Sequence, residues 1–326
     1  WKGWLEMRPQ VWADFLAHVR REAADLPPAD ADRLHAARRG ETDIACFNHW
    51  SRELVATGYL HNHARMWFAS IWIFTLRLPW SLGASFFLSH LLDGDPASNT
   101  LSWRWVAGLQ TKGKHYLARA ENIARYTDGL FNPRGQLDER AGPLQEDTAD
   151  LTLRPLPGAG SPIDGARAGL LLTGEDLTPE LSGLRGFPFV SLAAGWDATP
   201  ARSFELSAGV TDFTERALTD ALHRAGEHFD VPARWLAGEA WIEDAVDWAR
   251  REGLRQVVTL CPPVGPWADR VEELERRLAE RGITLARRRR TWDDVHWPLA
   301  SRGFFPCRKA ASRHLRQLLG GLTNIG

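Results

Sequence analysis

Apolar residues recur at Trp4/Leu5, Val11/Trp12, Phe15/Leu16 and Val19, close to the helical period, and predict one helix over residues 1–25. The string PPADAD ends it and offers an N-cap for a short following helix. An amphipathic helix is predicted over 42–57, capped by Thr42 or Asp43 and stopped at Gly58. A buried helix follows over about 61–78, where Pro79 breaks it, and another runs from Trp80 to Leu92. After the turn-rich DGDPASN come a helix from about Asn99 to Gly108 and helical character over 114–126. No strand pattern precedes residue 150, so this part reads as all-α.

The period then changes. LRPLPGAGSPIDGARAG (153–169) is rich in Pro and Gly and reads as a linker. Short apolar runs at 169–173, 188–195, 235–238, 256–260 and 283–288 alternate with helical patterns at 211–228, 241–252 and 266–281. That alternation predicts a parallel, Rossmann-like α/β sheet. The expected organisation is an all-α domain over 1–150, a linker over 151–168 and a smaller α/β domain over 169–326, closing with a basic helix. There is no GxGxxG and no P-loop; PPVGPWAD (262–269) reads as a plain βα turn.

Composition narrows the classes. Formal net charge is −1, so any nucleic-acid affinity has to come from a local patch. Cys46, Cys261 and Cys307 are scattered and odd in number, which points to a reducing cytoplasm and away from a disulfide framework. They show no metal spacing. The longest apolar stretch, Met66 to Trp80, is interrupted by Arg77 and Pro79 and is too short to span a bilayer. No signal peptide is visible, and a first residue of Trp1 fits a fragment or a trimmed chain. The 16 Trp against 3 Tyr and 2 Met serve packing, or else hole transfer and base stacking.

Polar residues interrupt the driest part of the chain. Asn62 and Arg65 share a predicted helix face with Met66, Ala69 and Ile73. A buried Arg needs an anion, and Asp93 and Asp95 follow, flanking Gly94. Asn99 lies one helical turn beyond Asp95 and Trp103 one turn further on the same face. Taken singly, these residues describe a capped helix with a structural Arg–Asp pair. Taken together, they describe a ligand site.

TGYLHNHARM (57–66), Trp80, LLDGDPASN (91–99) and WRW (103–105) resemble the flavin-binding helical domain of DNA photolyases and cryptochromes. The family pattern is TG-(W/Y)-x-H-N-R-x-R-M, an aromatic W, L-D-x-D-x-A-x-N and W-x-W. The likeness covers about 40–110, and 1–40 more weakly. His63, Pro96 and Leu101–Ser102 depart from it. The resemblance implies FAD as cofactor. It implies that Arg65 and Asp93 pair beside the flavin ring, that Asp93 and Asp95 contact the ring and ribityl region, and that Asn99 faces flavin N5. Asn62 would lie between flavin and substrate. Trp103 and Trp80 would be the proximal and middle members of a photoreducing tryptophan chain. Trp4, Trp12, Trp67 and Trp72 are candidates for its distal member. Trp105 would line the lesion cavity with Met66 and Asn62. Asn62 and Met66 match the cyclobutane-dimer type rather than the (6-4) type, which carries His at both positions, and Asn99 favours a photolyase over a plant cryptochrome. The family's phosphate-gripping loop and lesion-contacting helix would lie upstream of Trp1.

In that family an α/β domain precedes the helical one and holds an antenna pigment. Here an α/β pattern follows. GLLLTGEDLTPE resembles the family's opening strand, and ERGITLARRRRTWDD and GFFPCRK its close. Both a permuted domain order and an unrelated α/β domain are compatible with this, and no antenna residue is implied. The Arg287–Arg290 run, with Lys309, Arg313 and Arg316, reads as a phosphate contact or as a solvated strand end partly neutralised by Asp293 and Asp294. The expectation is a monomeric, metal-free, FAD-dependent photolyase acting on UV-damaged DNA. The alternative is a cryptochrome-like photoreceptor that photoreduces FAD and signals without repair.

Overall fold

The computed structural model describes residues 1–111, 113–146, 151–158, 163, 167–236 and 240–322. The chain divides into two compact units that are not contiguous in sequence. The helical unit comprises Gln10–Asp150 and Ala201–Phe213; the α/β unit comprises Trp1–Pro9, Leu151–Pro200 and Thr214–Gly326. Of the 153–169 segment read as a linker, 153–158 have no regular structure, 168–169 open the first strand of the sheet, and 159–162 and 164–166 lie outside the described residues.

The helix expected over 1–25 is two helices. α1 (Lys2–Glu6) ends at Met7, and α2 (Gln10–Ala24) begins after Pro9. Pro9 supplies no N–H and disfavours the helical conformation at Arg8, so the apolar period continues while the backbone does not. α1 belongs to the α/β unit. Gly3 packs on Trp297, the Glu6 carboxylate accepts from Val264 N, and Arg8 donates to the Ser301 carbonyl at 2.9 Å.

The helical unit continues with α3 (Pro28–Arg39), α4 (Ala45–Thr57), α5 (Asn62–Ser70), α6 (Trp80–His90), α7 (Pro96–Ala107) and α8 (Ala120–Tyr126). Gly58 ends α4 with φ 66°, a conformation that glycine adopts without steric cost. The helix expected over 61–78 stops being α-helical at Ser70 and passes into a π-helical turn, Ile71–Thr75, closed by Leu76 N on Ile71 O at 2.8 Å. α7 starts three residues earlier than expected because Asp95 caps it and Pro96 fits its first turn. The expected helix over 114–126 keeps only its second half. Trp72, Trp103, Phe47 and Phe68 are fully buried at the centre. Cys46 on α4 lies among these apolar groups, and burial pushes its thiol up to about 11.

Gly83 on α6 lets Trp103 approach: a Cβ there would sit 2.3 Å from the indole and 2.9 Å from Trp72 Nε1. Gly83→Ala is therefore expected to cost about 1–3 kcal/mol through overpacking, measured by urea or thermal unfolding. An unchanged midpoint would mean that Trp103 has room to move.

The α/β unit holds a parallel sheet of β1 (Ala168–Leu172), β2 (Ser191–Gly195), β3 (Ala233–Leu236), β4 (Gln256–Leu260) and β5 (Thr284–Arg288), in the order β3-β2-β1-β4-β5. β1, β2 and β4 are buried along their whole length, as expected where helices cover both faces. The helices are α9 (Ala198–Ser203), α10 (Ala208–Phe229), α11 (Trp241–Arg251), α12 (Pro266–Ala279), α13 (Thr291–His296) and the basic α14 (Phe304–Leu322). The chain crosses to the helical unit within α9 and returns within α10. In the Arg287–Arg290 run Arg288 is exposed, Arg289 pairs with Asp294 at 2.6 Å as the expected partial neutralisation requires, and Arg287 and Arg290 pair further with Glu275 and Asp176. Among the described residues no helix is long and apolar enough to cross a membrane, and no group of three or more His, Cys, Asp or Glu side chains is placed to hold a metal ion.

Candidate functional site

The site begins with a turn. Leu91 ends α6 in extended conformation, Gly94 takes φ 51°, and Gly94 N donates to Leu91 O at 2.9 Å. The reversal lets one carboxylate oxygen, Asp93 Oδ1, accept from both Asn99 Nδ2 at 2.8 Å and Asp95 N at 3.2 Å. The other, Oδ2, lies 3.5 Å from Arg65 Nη1. Arg65 is anchored by its Nε on Leu60 O at 2.9 Å. Asp93 is thus the hub joining the start of α5 to the first turns of α7. Asp95 plays a different part: its Oδ1 accepts from Ala97 N at 3.1 Å and caps α7.

Burial divides these residues. Asn99 is 2% exposed, whereas the Asp93 side chain is 44% exposed and Arg65 is partly exposed. The fully buried Arg read from the apolar pattern is therefore a half-buried one at a rim. Such a rim brings a cation, a carboxylate and an amide together, which suits a polar ring carrying both donors and acceptors. Asn62 and Met66 lie one turn apart on α5, with Asn62 Nδ2 3.9 Å from Met66 Sδ. Trp105 is exposed and stacks on Tyr116, centroids 5.9 Å apart and planes at 24°. A cavity of about 390 Å³ lies beside this pair, lined by His115, Tyr116, Arg119 and Asn122.

Behind the rim, Trp103 contacts Phe87 at 5.0 Å, Trp72 at 6.0 Å and Phe68 at 6.3 Å, and its Nε1 is buried with no acceptor among the described residues. Trp80 contacts Phe15 at 5.9 Å and His18 at 6.4 Å. The guanidinium of Arg104, 4% exposed, lies 5.5 Å over the Trp80 ring and pairs with Glu146 at 2.9 Å. Of the four indoles considered for a third position, Trp12 reaches Trp80 through Phe15, at 5.4 Å from that ring. Trp72 contacts Trp103, Trp67 stacks on Trp50, and Trp4 belongs to the α/β unit. A cavity of about 1010 Å³ opens beside Trp80, lined among others by His18, Arg77 and Glu146.

Sequence reasoning did not find Arg104, Glu146, His18 or Tyr116. Arg104 stood inside the WRW string, where a cation between two tryptophans on a buried helix was the available signal. Glu146 is 42 residues from Arg104 in an irregular segment, and no spacing rule reaches it.

Residues 4–139 match the family model for the FAD binding domain of DNA photolyase. A deoxyribodipyrimidine photo-lyase of Streptomyces griseus is 34% identical over 154 residues, covering 43% of this chain and 33% of that protein. Cryptochrome-2 of Arabidopsis thaliana is 35% identical over 121 residues, covering 37% of this chain and 19% of the relative. A deoxyribodipyrimidine photo-lyase of Escherichia coli K12 is 36% identical over 122 residues, with 37% and 23% covered. The matches thus span a third or less of these relatives' own lengths. The cofactor of the matched domain is FAD, and the donor set described above fits it. An amide and a guanidinium converge on one carboxylate, and an orphaned indole N–H lies one helical turn beyond the amide.

Proposed function

Because its helical domain belongs to the DNA photolyase/cryptochrome family, we propose that this protein uses FAD and blue light to split pyrimidine dimers in UV-damaged DNA, cyclobutane dimers foremost. The observation that carries the reading is the Arg65–Asp93–Asn99 network, a charged rim over the buried Trp103. When bound, FAD supplies the light-driven one-electron chemistry.

The chain's own residues then hold the reactants. Asp93 orients Asn99 by accepting from its Nδ2, which leaves the Asn99 carbonyl oxygen to meet the flavin ring. Arg65 balances the carboxylate charge. Asp95 fixes the direction of α7, and so of Asn99 and Trp103, through its cap on Ala97. Trp103 and Trp80 supply electrons, with Trp12 next in line through Phe15. Trp105, backed by Tyr116, offers an exposed aromatic face on which a flipped base stacks.

The test is loss of cyclobutane dimers from an oligonucleotide mixed with the reduced, FAD-loaded protein, in blue light and in the dark. Repair in light alone is the expected result. Normal flavin photoreduction without repair would favour a photoreceptor, a reading supported by the similar identity to plant cryptochromes.

A further inference from the structure

Trp12 and Trp80 are joined through Phe15, Trp103 lies in the neighbouring aromatic cluster with Trp72 and Phe68, and the three indole N–H groups meet different surroundings. Trp103 Nε1 and Trp12 Nε1 are buried with no acceptor among the described residues. Trp80 Nε1 donates to a carboxylate, Glu146 Oε1, at 3.2 Å. His18 Nε2 lies 3.8 Å from the same oxygen. His18 Nδ1 is 2.7 Å from the carbonyl of Asp14, an acceptor, so Nδ1 carries a hydrogen while Nε2 faces Glu146. His18, Trp80 and Glu146 all line the cavity of about 1010 Å³.

We propose that Glu146 and His18 form a proton relay for Trp80, so that an electron leaving this indole is followed by its Nε1 proton. The proposal rests on the light-driven flavin reading above. One electron passes from Trp80 toward Trp103 and the light-excited flavin, which is the oxidant. The Nε1–H bond then breaks, its electron pair stays on nitrogen, and an O–H bond forms at Glu146 Oε1. That O–H breaks in turn as the proton bonds to His18 Nε2, once the pair closes from 3.8 Å to hydrogen-bond distance. The balance is a neutral indolyl radical, a restored carboxylate and an imidazolium, for one electron delivered.

The surroundings favour this order. An oxidised indole is about as strong an acid as a carboxylic acid, so the first transfer is matched, and imidazole is the stronger base, so the second runs downhill. Arg104 lies 5.5 Å over the same ring and opposes a second positive charge on it. Its pair with Glu146 Oε2 at 2.9 Å leaves Oε1 free to face the indole. Two neighbouring indoles meet no such base: Trp72 Nε1 donates to the Pro79 carbonyl and Trp67 Nε1 to the Asn122 amide oxygen. Trp80 is thereby the place where the hole is trapped, although Phe15 leads on to Trp12. The charged groups facing His18 are Asp14, Arg21 and Glu22 on its own helix, Arg77 ahead of α6, Glu146, and Arg104 through its pair.

Flash spectroscopy of the FAD-loaded chain distinguishes the cationic from the neutral indolyl radical by their visible bands. Conversion of the first into the second is the step that the relay carries. His18→Gln is expected to slow it. Glu146→Gln slows the conversion by roughly a hundredfold, and Glu146→Asp restores part of it. His18 is partly exposed, so its variant keeps the test open should Glu146→Gln fail to fold. In the FAD-free chain, the nitrogen-15 NMR signal of the Trp80 indole, assigned with Trp80→Phe, is expected to move on Glu146→Gln. A stationary signal, or a conversion unchanged in both variants, overturns the relay while leaving the flavin reading intact. No light-dependent radical in the wild type overturns the flavin reading and the relay with it.

Discussion

Asp93→Ala is expected to weaken FAD binding by about tenfold, toward a hundredfold at most. Hydrogen bonds to a charged group contribute about 1.5–3 kcal/mol, and about 1.4 kcal/mol is a factor of ten in Kd. Asp93 makes two such bonds, to Asn99 and to the backbone of Asp95, and sits 3.5 Å from Arg65. Its side chain is 44% exposed, so water screens part of the effect and the lower figure is the better one. The alanine variant also leaves the buried Asn99 amide free to turn away from the ring. Asp93→Asn keeps an acceptor without the charge and should fall between. The measurement is flavin fluorescence titrated with apoprotein. An unchanged Kd, with a normal unfolding transition, would remove Asp93 from the cofactor site.

The largest stability effect is expected in the other unit. Asp197 is fully buried just after β2, where it accepts from Arg270 Nε at 2.5 Å and from Thr199 N at 2.8 Å. Asp197→Ala removes one partner of a buried pair and leaves a backbone donor unmet, at a cost of about 3–5 kcal/mol. The exposed Arg39–Glu41 pair, by contrast, is worth about 1 kcal/mol or less. Chemical unfolding of both variants decides the ranking. A loss below about 1 kcal/mol for Asp197→Ala would mean that Arg270 is held well enough by its second partner, Glu273.

The helical half was legible where one force dominated. Residues 42–57 and 80–92 carry a helical apolar period bounded by a glycine or a proline, and the helices fall within two or three residues of the expected ends. The period misled where backbone chemistry overrode it. Apolar residues continue through Pro9, but the helix stops because Pro9 restricts Arg8, and the two segments enter different units. Over Ile71–Thr75 the side chains are all apolar but for one threonine, so no pattern could mark the shift from α- to π-helical hydrogen bonding. The linker reading at 153–169 came from Pro and Gly content, which says that regular structure is disfavoured but not which unit the segment joins.

While the meeting of Asp93 with Arg65, 28 residues away, was implied only by the family resemblance, the sequence by itself determined the class of each half, the apolar runs that become strands, and the Asp93–Asp95–Asn99 spacing that sets these residues around one turn. These depend on local spacing, which backbone geometry converts directly into a face or a turn. Tertiary structure alone decided that Asp93 rather than Asp95 is the hub, since one carboxylate is taken up by the α7 cap and only the other is free to bridge. It alone placed Glu146 on Trp80 and residues 201–213 in the helical unit, because contacts between distant segments depend on how elements pack, and packing energy leaves no period in the chain.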